Sequence, residues 1–390
     1  MPFLALAVSL ALSFPSESSS LIAPPDAAGA VGPHHVVAAY NTGIVVQDRN
    51  GAVLQKTVLA RFWGSIADPG AFYDPRVVYD AKYDRWVVMS ILDERQVMLA
   101  ISESGDPTGA WRRYSIDERY ADFSQLVLTG DSIVLGTIYW PAPHSIFFVI
   151  PREETYAHPE QLHVVRVPID GTIATPVATE SNDEIIVTAG EAELSWRTLD
   201  PSSTWQTARA PEQWMFAERR LPQQGGYPLE GSSGIVENAV EHNGWIYAVM
   251  TRRLNSTRNA VLWCRVSRAT NDSEWGAVTN PDASYGYPSI AVNRAGAMVI
   301  GFGVFSWFFY ASSGYVYRSP FGVTTPPQTL VEGDATAIAG DRWGDYTTTV
   351  VDPVDGSFWT LQLHARKGVF WETAWGHVDG AGRRRAVGAR

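Results

Sequence analysis

A unit of about fifty residues recurs along the whole chain, and a fold must supply one supersecondary element per copy to satisfy that period. The clearest copy is 74–90, DPRVVYDAKYDRWVVMS. Residues 76–79 alternate and are β-branched or aromatic, 80–84 are turn material, and Trp86 opens a second apolar run, so the segment reads as a β-hairpin. Residues 345–363 (DYTTTVVDPVDGSFWTLQL) and 287–302 (YPSIAVNRAGAMVIGF) repeat the pattern, and weaker copies stand at 30–40, 123–137, 175–188 and 234–250. Taking the residue that ends each first run as an anchor gives Gly32, Asp80, Thr129, Glu180, Glu241, Asn293 and Asp352, spaced by 48, 49, 51, 61, 52 and 59 residues. Each interval has room for four short strands. A lone four-stranded sheet cannot bury both faces, whereas blades packed radially around an axis hide them against one another. The expectation is an all-β protein, a β-propeller of seven four-stranded blades, with six or eight as alternatives because the interval after Glu180 is irregular.

Composition supports this reading. Thirty-three glycines, 24 prolines and 15 tryptophans, without long amphipathic stretches, favour many tight turns over helix. The chain is 45% hydrophobic, enough for a large core, yet no apolar run reaches the length of a membrane span, so membrane insertion is not expected. A formal charge of −11 argues against nucleic acid, whose phosphates demand a basic surface. Cys264 stands alone, so no intramolecular disulfide or thiolate metal cage can form.

The expected layout is a signal-peptide-like or disordered segment over 1–22, one propeller domain over 23–379, and a basic disordered tail over 380–390. Residues 2–14, PFLALAVSLALSF, followed by Pro15 and a Ser-rich stretch, have the apolar core and exit of a secretory leader without its basic start. The segment ahead of Gly32 is expected to help complete the blade formed by residues 369–378. A secreted or periplasmic monomer is expected. The sequons at 255–257 and 271–273 are too common to decide the compartment.

In a propeller the innermost strand of each blade starts at the central channel, where loops and strand ends meet ligands. Six or seven places before each anchor stand Asp26, Asp74, Asp122 or Phe123, Thr175, Ser233 or the nearby Glu230, Tyr287 and Asp345. Carboxylates recur there, and like charges on a narrow axis need an arginine, retained protons or a cation with oxygen ligands such as calcium. Arg76 shares a face with Asp74, Arg342 lies in the approach to Asp345, and Tyr73, Tyr285, Tyr287, Trp343 and Tyr346 add aromatic surface suited to sugars. Asp74, Asp122 and Asp345 are therefore the candidate catalytic acids, with Tyr73, Arg76, Tyr287, Arg342 and Trp343 as candidate ligand-binding residues. The competing reading makes these aspartates turn caps and blade-to-blade struts. His34 and His35 offer a base, but adjacent strand residues point to opposite faces. The turn at 352–356, DPVDG, has a calcium-loop composition but the spacing of a tight hairpin.

Residues 104–111, SGDPTGAW, resemble a degenerate Asp box of the sialidase superfamily, with Ser104, Asp106 and Trp111 matching, Gly109 displaced by one place and Ala110 where Thr stands. In that superfamily the box is a structural turn on the outer edge of a blade. Tyr73-Asp74-Pro75-Arg76 is a loose relative of the superfamily's Tyr/Phe-Arg-Ile-Pro motif, with Pro and Arg in reversed order. The chain also resembles secreted bacterial propeller proteins of unassigned function, through GAVGPHHVV, FYDPRVVYDAKYDRWVV, AISESGDPTGAWRRYSI, YPSIAVNRAGAMVIGF and RWGDYTTTVVDPVDGSFWT. This resemblance implies a propeller and export and brings no catalytic residues. Two function classes follow: a glycoside hydrolase or polysaccharide lyase with a carboxylate and arginine site at one end of the channel, or a non-enzymatic ligand-binding or scaffold propeller holding a cation there.

Overall fold

A computed structural model describes residues 8–64, 70–139, 144–217, 220–232, 234–253, 258–338 and 342–380. Seven antiparallel sheets follow one another along the chain, each stepping outward from an inner strand. The inner strands are Ala28–Val31, Phe72–Asp80, Ala121–Leu128, Thr175–Pro176, Val236–His242, Ser284–Val292 and Thr348–Val351, and they number blades 1 to 7. Two five-residue helices, Leu59–Trp63 and Arg152–Tyr156, sit in loops. The seven-bladed propeller read from the anchor spacing is the fold. Its core is a series of seams between neighbouring blades: Val37, Trp63, Val77 and Trp86 between blades 1 and 2, and Ile91, Leu99, Ile133 and Phe148 between blades 2 and 3.

The anchors stand in the turns between the first and second strands and tie neighbouring blades. Asp80 accepts from Lys82 N–H at 3.0 Å and pairs with the buried Arg152 at 2.5 Å, and Tyr156 donates to it at 2.5 Å. Asp352 pairs with Arg49, accepts from Trp359 Nε1 at 2.9 Å and caps its own turn through Val354 N–H at 2.9 Å. The irregular interval after Glu180 has a cause. The short strand Met215–Phe216 extends the inner edge of blade 5, and the Arg220–Leu221 and Leu229–Glu230 hairpin is inserted between it and the inner strand Val236–His242.

One boundary is corrected. Ser9–Ser19, read as leader or disordered, is the fourth strand of blade 7, antiparallel to Trp371–Asp379 with Ser9 opposite Asp379 and Phe14 opposite Trp375. The domain therefore starts at least as early as Ser9. The physical reason is period: Leu10, Leu12 and Phe14 turn inward while Ser9, Ala11 and Ser13 are exposed, the alternation of an edge strand with one buried face. Phe14 meets Trp359 edge-on at 6.0 Å in a cluster that includes Trp371 and Trp375. The first and last segments of the chain thus share one sheet, as expected from the segment ahead of Gly32. The tail at 381–390 and the sequon at 255–257 lie outside the described residues, as does Ser233.

Candidate active site

Three of the inner strands, in blades 2, 3 and 6, begin with a distortion at the same place. The pairing slips between Tyr73 and Arg76, between Asp122 and Gln125, and between Gly286 and Ser289. At the slip the backbone turns left-handed, with φ of 51° at Asp74, 52° at Phe123 and 53° at Tyr287, and Asp26 matches them at 47°. A bulge of this kind re-aims a side chain, and side chains bulkier than Asp rarely adopt such a φ. Counting back from the anchors, all four stand six places before, together with Tyr346 in blade 7. Asp122 and Asp345 stand seven places before.

This offset divides the candidate acids into two layers, with Asp74 in one and Asp122 and Asp345 in the other. The inner layer is buried, with Asp26 3% and Asp74 5% exposed. Asn41 holds the two together, its amide donating to Asp26 Oδ2 at 2.7 Å while its oxygen accepts from the Asp74 N–H at 2.9 Å. Tyr346 donates its hydroxyl to Asp74 Oδ2 at 2.8 Å, packs against Phe123 with ring centres 4.8 Å apart, and lies under the Arg76 guanidinium at 3.6 Å. Arg76 Nε donates to the Ser124 carbonyl at 2.9 Å, and Ser124 in turn donates its hydroxyl to the Asp74 carbonyl. Thr347 repeats that last bond toward the Tyr287 carbonyl at 2.7 Å, so neighbouring bulges are stitched by the residue after each.

The outer layer faces solvent. Arg342 bridges Glu230 at 2.7 Å and Asp345 at 3.1 Å, and the side chains of Arg342, Glu230 and Asp345 are 47%, 43% and 32% exposed. Asp345 N–H donates to Asp26 Oδ1 at 3.0 Å, linking the layers. Asp122 caps the Phe123 N–H at 2.9 Å.

Burial sets the protonation. It holds Asp26 well above the usual carboxylate range, with the Asp74 and Asp345 charges adding to the effect. Asp74 is also raised by burial, against the opposing Tyr346 bond and Arg76 charge. Asp345 is pushed up to about 6 by burial and by Asp74, against Arg342, and Asp122 to about 6 by burial and by Asp74. Two half-open acids that change protonation near pH 6, above a buried pair whose carboxyls are held above the usual range, are equipped to give and take protons close to neutrality.

Beneath the mouth, a channel cavity of about 320 Å³ is lined by Arg76, Gln125, Thr175, Glu237 and Ser289 near the top and by Val78, Val127 and Val350 further down. Glu237 accepts from Thr251 at 2.9 Å and from Ser232, and burial pushes its carboxyl up to about 8.

The structure thus brings Asp74, Asp122, Asp345, Arg76 and Arg342 to one end of the axis. Three aromatic assignments are corrected. Tyr287 is 3% exposed with its hydroxyl donating to the Glu230 carbonyl at 2.6 Å, and Trp343 is 3% exposed, edge-on to Phe305 at 5.8 Å. Both belong to the core cluster of Leu221, Leu229 and Phe305, because the inserted hairpin covers them. Tyr73 is packed into the seam between blades 2 and 3 with its hydroxyl on the Ala121 carbonyl at 3.2 Å. His34 stands in the turn after Ala28–Val31 and His35 opens the next strand, both at the opposite end of the channel from Asp26. Asp26, placed by its offset from Gly32 among the channel carboxylates, is not among the candidate catalytic or binding residues read from the sequence, and nothing in the repeat marks Asn41.

Among the described residues, one set of three metal-capable side chains has ligand atoms within 4.8 Å of one another: Asp352, Asp355 and His377. It lies at the far end, where Asp352 and Asp355 of the hairpin turn meet His377 of the strand Trp371–Asp379, and where Arg49 and Trp359 already engage Asp352. The mouth acids are braced by Asn41, Tyr346 and Arg342 instead. The SGDPTGAW segment forms the turn between the third and fourth strands of blade 2, with Trp111 Nε1 donating to the Pro107 carbonyl at 3.0 Å.

Neither a protein-family model nor a curated protein matches the chain. Solved structures do. A fungal alcohol oxidase of the AA5 family, in complex with copper, superposes with a TM-score of 0.56 at 11% identity, over 95% of this chain and 77% of that one. An oligogalacturonate lyase in complex with manganese gives 0.49 at 12% identity over 96% of both chains. Trypanosoma rangeli sialidase in complex with the inhibitor DANA gives 0.38 at 10% identity, over 85% of this chain and 57% of that one. At such identities the likeness concerns the fold, and the chemistry rests on the mouth residues.

Proposed function

We propose that the channel mouth is the active site of an acid–base enzyme acting on glycans that carry a carboxylate, as a glycoside hydrolase or a polysaccharide lyase. The observation that carries this reading is Asp345, a partly exposed carboxyl pushed up to about 6 beside Arg342 at 3.1 Å. Arg342, half exposed, holds the anionic group of the sugar, and Arg76 adds positive charge from below. Asp345 and Asp122 exchange protons with the substrate. Negative charge on the buried Asp74 opposes ionisation of Asp345 and Asp122 and so holds their protons to higher pH. A hydrolase would use the two outer acids as acid and base or nucleophile across a glycosidic oxygen. A lyase would use one as the base that removes a proton next to the sugar carboxylate. The protein is proposed to act as an exported monomer, secreted or periplasmic.

The test is turnover of uronate-containing oligosaccharides, followed by new reducing ends and by the ultraviolet absorbance of an unsaturated product. The first signal without the second marks a hydrolase, and both together mark a lyase. Asp345→Asn should lower kcat/KM by about 100-fold or more with the fold intact. Equal rates for parent and variant exclude Asp345 as the proton-transfer group. The alternative, a non-enzymatic propeller whose channel acids hold calcium, is supported if the parent turns over nothing and its melting temperature rises with added calcium in an Asp345-dependent way.

A further inference from the structure

The inserted hairpin between blades 4 and 5 does more than cover Tyr287 and Trp343. Its tip carries Tyr227, 88% exposed, and the loop between the second and third strands of blade 6 carries Trp307 and Phe308, 57% and 77% exposed. The two tips and the segment entering blade 7 are joined. Gln224 N–H donates to the Phe309 carbonyl at 3.2 Å, Thr336 donates to the Gln224 carbonyl at 2.9 Å, and the Gln223 amide exchanges bonds of 3.2 and 2.8 Å with the Ala337 backbone. The three aromatics therefore stand on one braced patch. That patch runs into the mouth, because the same hairpin carries Glu230, whose carboxylate pairs with Arg342. A second cavity, about 350 Å³, opens on the blade 6 side of the loop and is lined by Phe309, Tyr310, Tyr285, Asn280, Gln328 and Glu332.

Three large aromatic side chains left in water on a rigid rim mark a recognition surface. Aromatic faces stack on flat apolar faces, which sugar rings present through their C–H bonds while keeping hydroxyls free for polar groups such as Asn280, Gln328 and Glu332 in the second cavity. We propose that Tyr227, Trp307 and Phe308 form a subsite platform on which an anionic polysaccharide lies as it leaves the mouth, so that the protein takes polymers in preference to single sugars. This rests on the glycan reading of the mouth, and it names the size class of the ligand. A second copy of the chain would also cover such a patch. The continuity with Arg342 and Glu230 favours the charged sugar, since a charged, solvated rim is poorly suited to a dry interface between copies.

The test separates binding from turnover. Parent, Tyr227→Ser, Trp307→Ser, Phe308→Ser and the triple variant, each also carrying Asp345→Asn to suppress turnover, are titrated calorimetrically with alginate, polygalacturonate and hyaluronan, and with the matching monosaccharides. Thermal melting and sedimentation are recorded alongside. The expected result is saturable binding of at least one polymer by the parent, weakened about tenfold by each single change and abolished in the triple variant, with monosaccharide binding and melting temperature unmoved. The proposal is overturned if the parent binds none of the three polymers, if the triple variant binds like the parent, or if the parent is a dimer that the triple variant dissociates. Polymer binding by these proteins together with no turnover of the same polymers by the chain that retains Asp345 rejects the enzyme reading and leaves the platform standing.

Discussion

The hydroxyl of Tyr346 donates to Oδ2 of Asp74 at 2.8 Å, joining blade 7 to blade 2 past the whole of blade 1. Both residues are buried, so this bond fixes the inner layer of the mouth independently of the blade seams. Tyr346→Phe removes the donor that favours ionised Asp74 and should cost about 1–3 kcal/mol. The loss should grow with pH, because the bond to the ionised carboxylate is charge-assisted and stronger than the one to the protonated carboxyl. Melting curves of parent and variant at pH 5 and pH 8 check this, and an identical gap at both pH values would contradict it.

Stability should fall as pH rises through the acid range. The folded chain holds Asp122 and Asp345 at about 6 and Glu237 at about 8, above their unfolded values, so it binds more protons than the unfolded chain up to those pH values. Their unfavourable contribution is absent below the ordinary carboxylate range, grows as pH climbs, and is complete above about 8 for Glu237. Asp345→Asn should therefore raise the melting temperature at pH 7 relative to pH 4. The difference is about 1 kcal/mol once screening by the solvent that Asp345 partly faces is counted. A variant that tracks the parent across pH 4–8 would show that Asp345 ionises normally.

Activity should respond to the same groups. With Asp345 and Asp122 both near 6, kcat/KM on an anionic oligosaccharide should bend between pH 5 and 7. Arg342→Gln removes the charge that opposes the rise of Asp345 and should move the Asp345-dependent limb to higher pH while raising KM. An unmoved pH profile would separate Arg342 from Asp345 function.

Closure of the ring depends on the first strand. Deleting residues 1–19 exposes the edge of Trp371–Asp379 and strips Phe14 from Trp359, so the truncated chain should lose cooperative melting or aggregate. The intact mass of protein isolated from cells should accordingly include Ser9–Ser19. Recovery of a stable, monodisperse chain lacking that strand would disprove its closing role.

At the opposite end, Asp80 is buried beside Arg152 at 2.5 Å and accepts from Tyr156 at 2.5 Å. Asp80→Ala leaves a buried guanidinium without its partner and should cost about 3–5 kcal/mol, read as a drop in denaturation midpoint. Mouth-dependent binding should survive under conditions where the variant remains folded. A change within about 0.5 kcal/mol, the range of an ordinary surface substitution, would refute a strut role for Asp80.

The sequence by itself determined the repeat, the blade count and the end of the channel at which the acids gather. It could do so because strand alternation, turn chemistry and a fixed interval are local properties that survive in one dimension. The position six places before the anchor was equally legible, and it already paired Asp74 with Asp26 and Tyr346 rather than with Asp122 and Asp345. Only the tertiary structure decided depth. The bulge at Asp74 and Phe123 sets neighbouring residues at different distances from solvent, and whether a carboxyl at such a place is sealed or open depends on what other blades lay over it. Asn41 bridges Asp26 and Asp74 from another turn, and the inserted hairpin buries Tyr287 and Trp343 while leaving Tyr227 in water, because those contacts join residues whose separation along the chain carries no period. The first strand shows the same division. Its alternation of Leu10, Leu12 and Phe14 was written in the sequence, but the partner that makes it a strand, Trp371–Asp379, comes from the far end of the chain, where only closure of the ring could bring it.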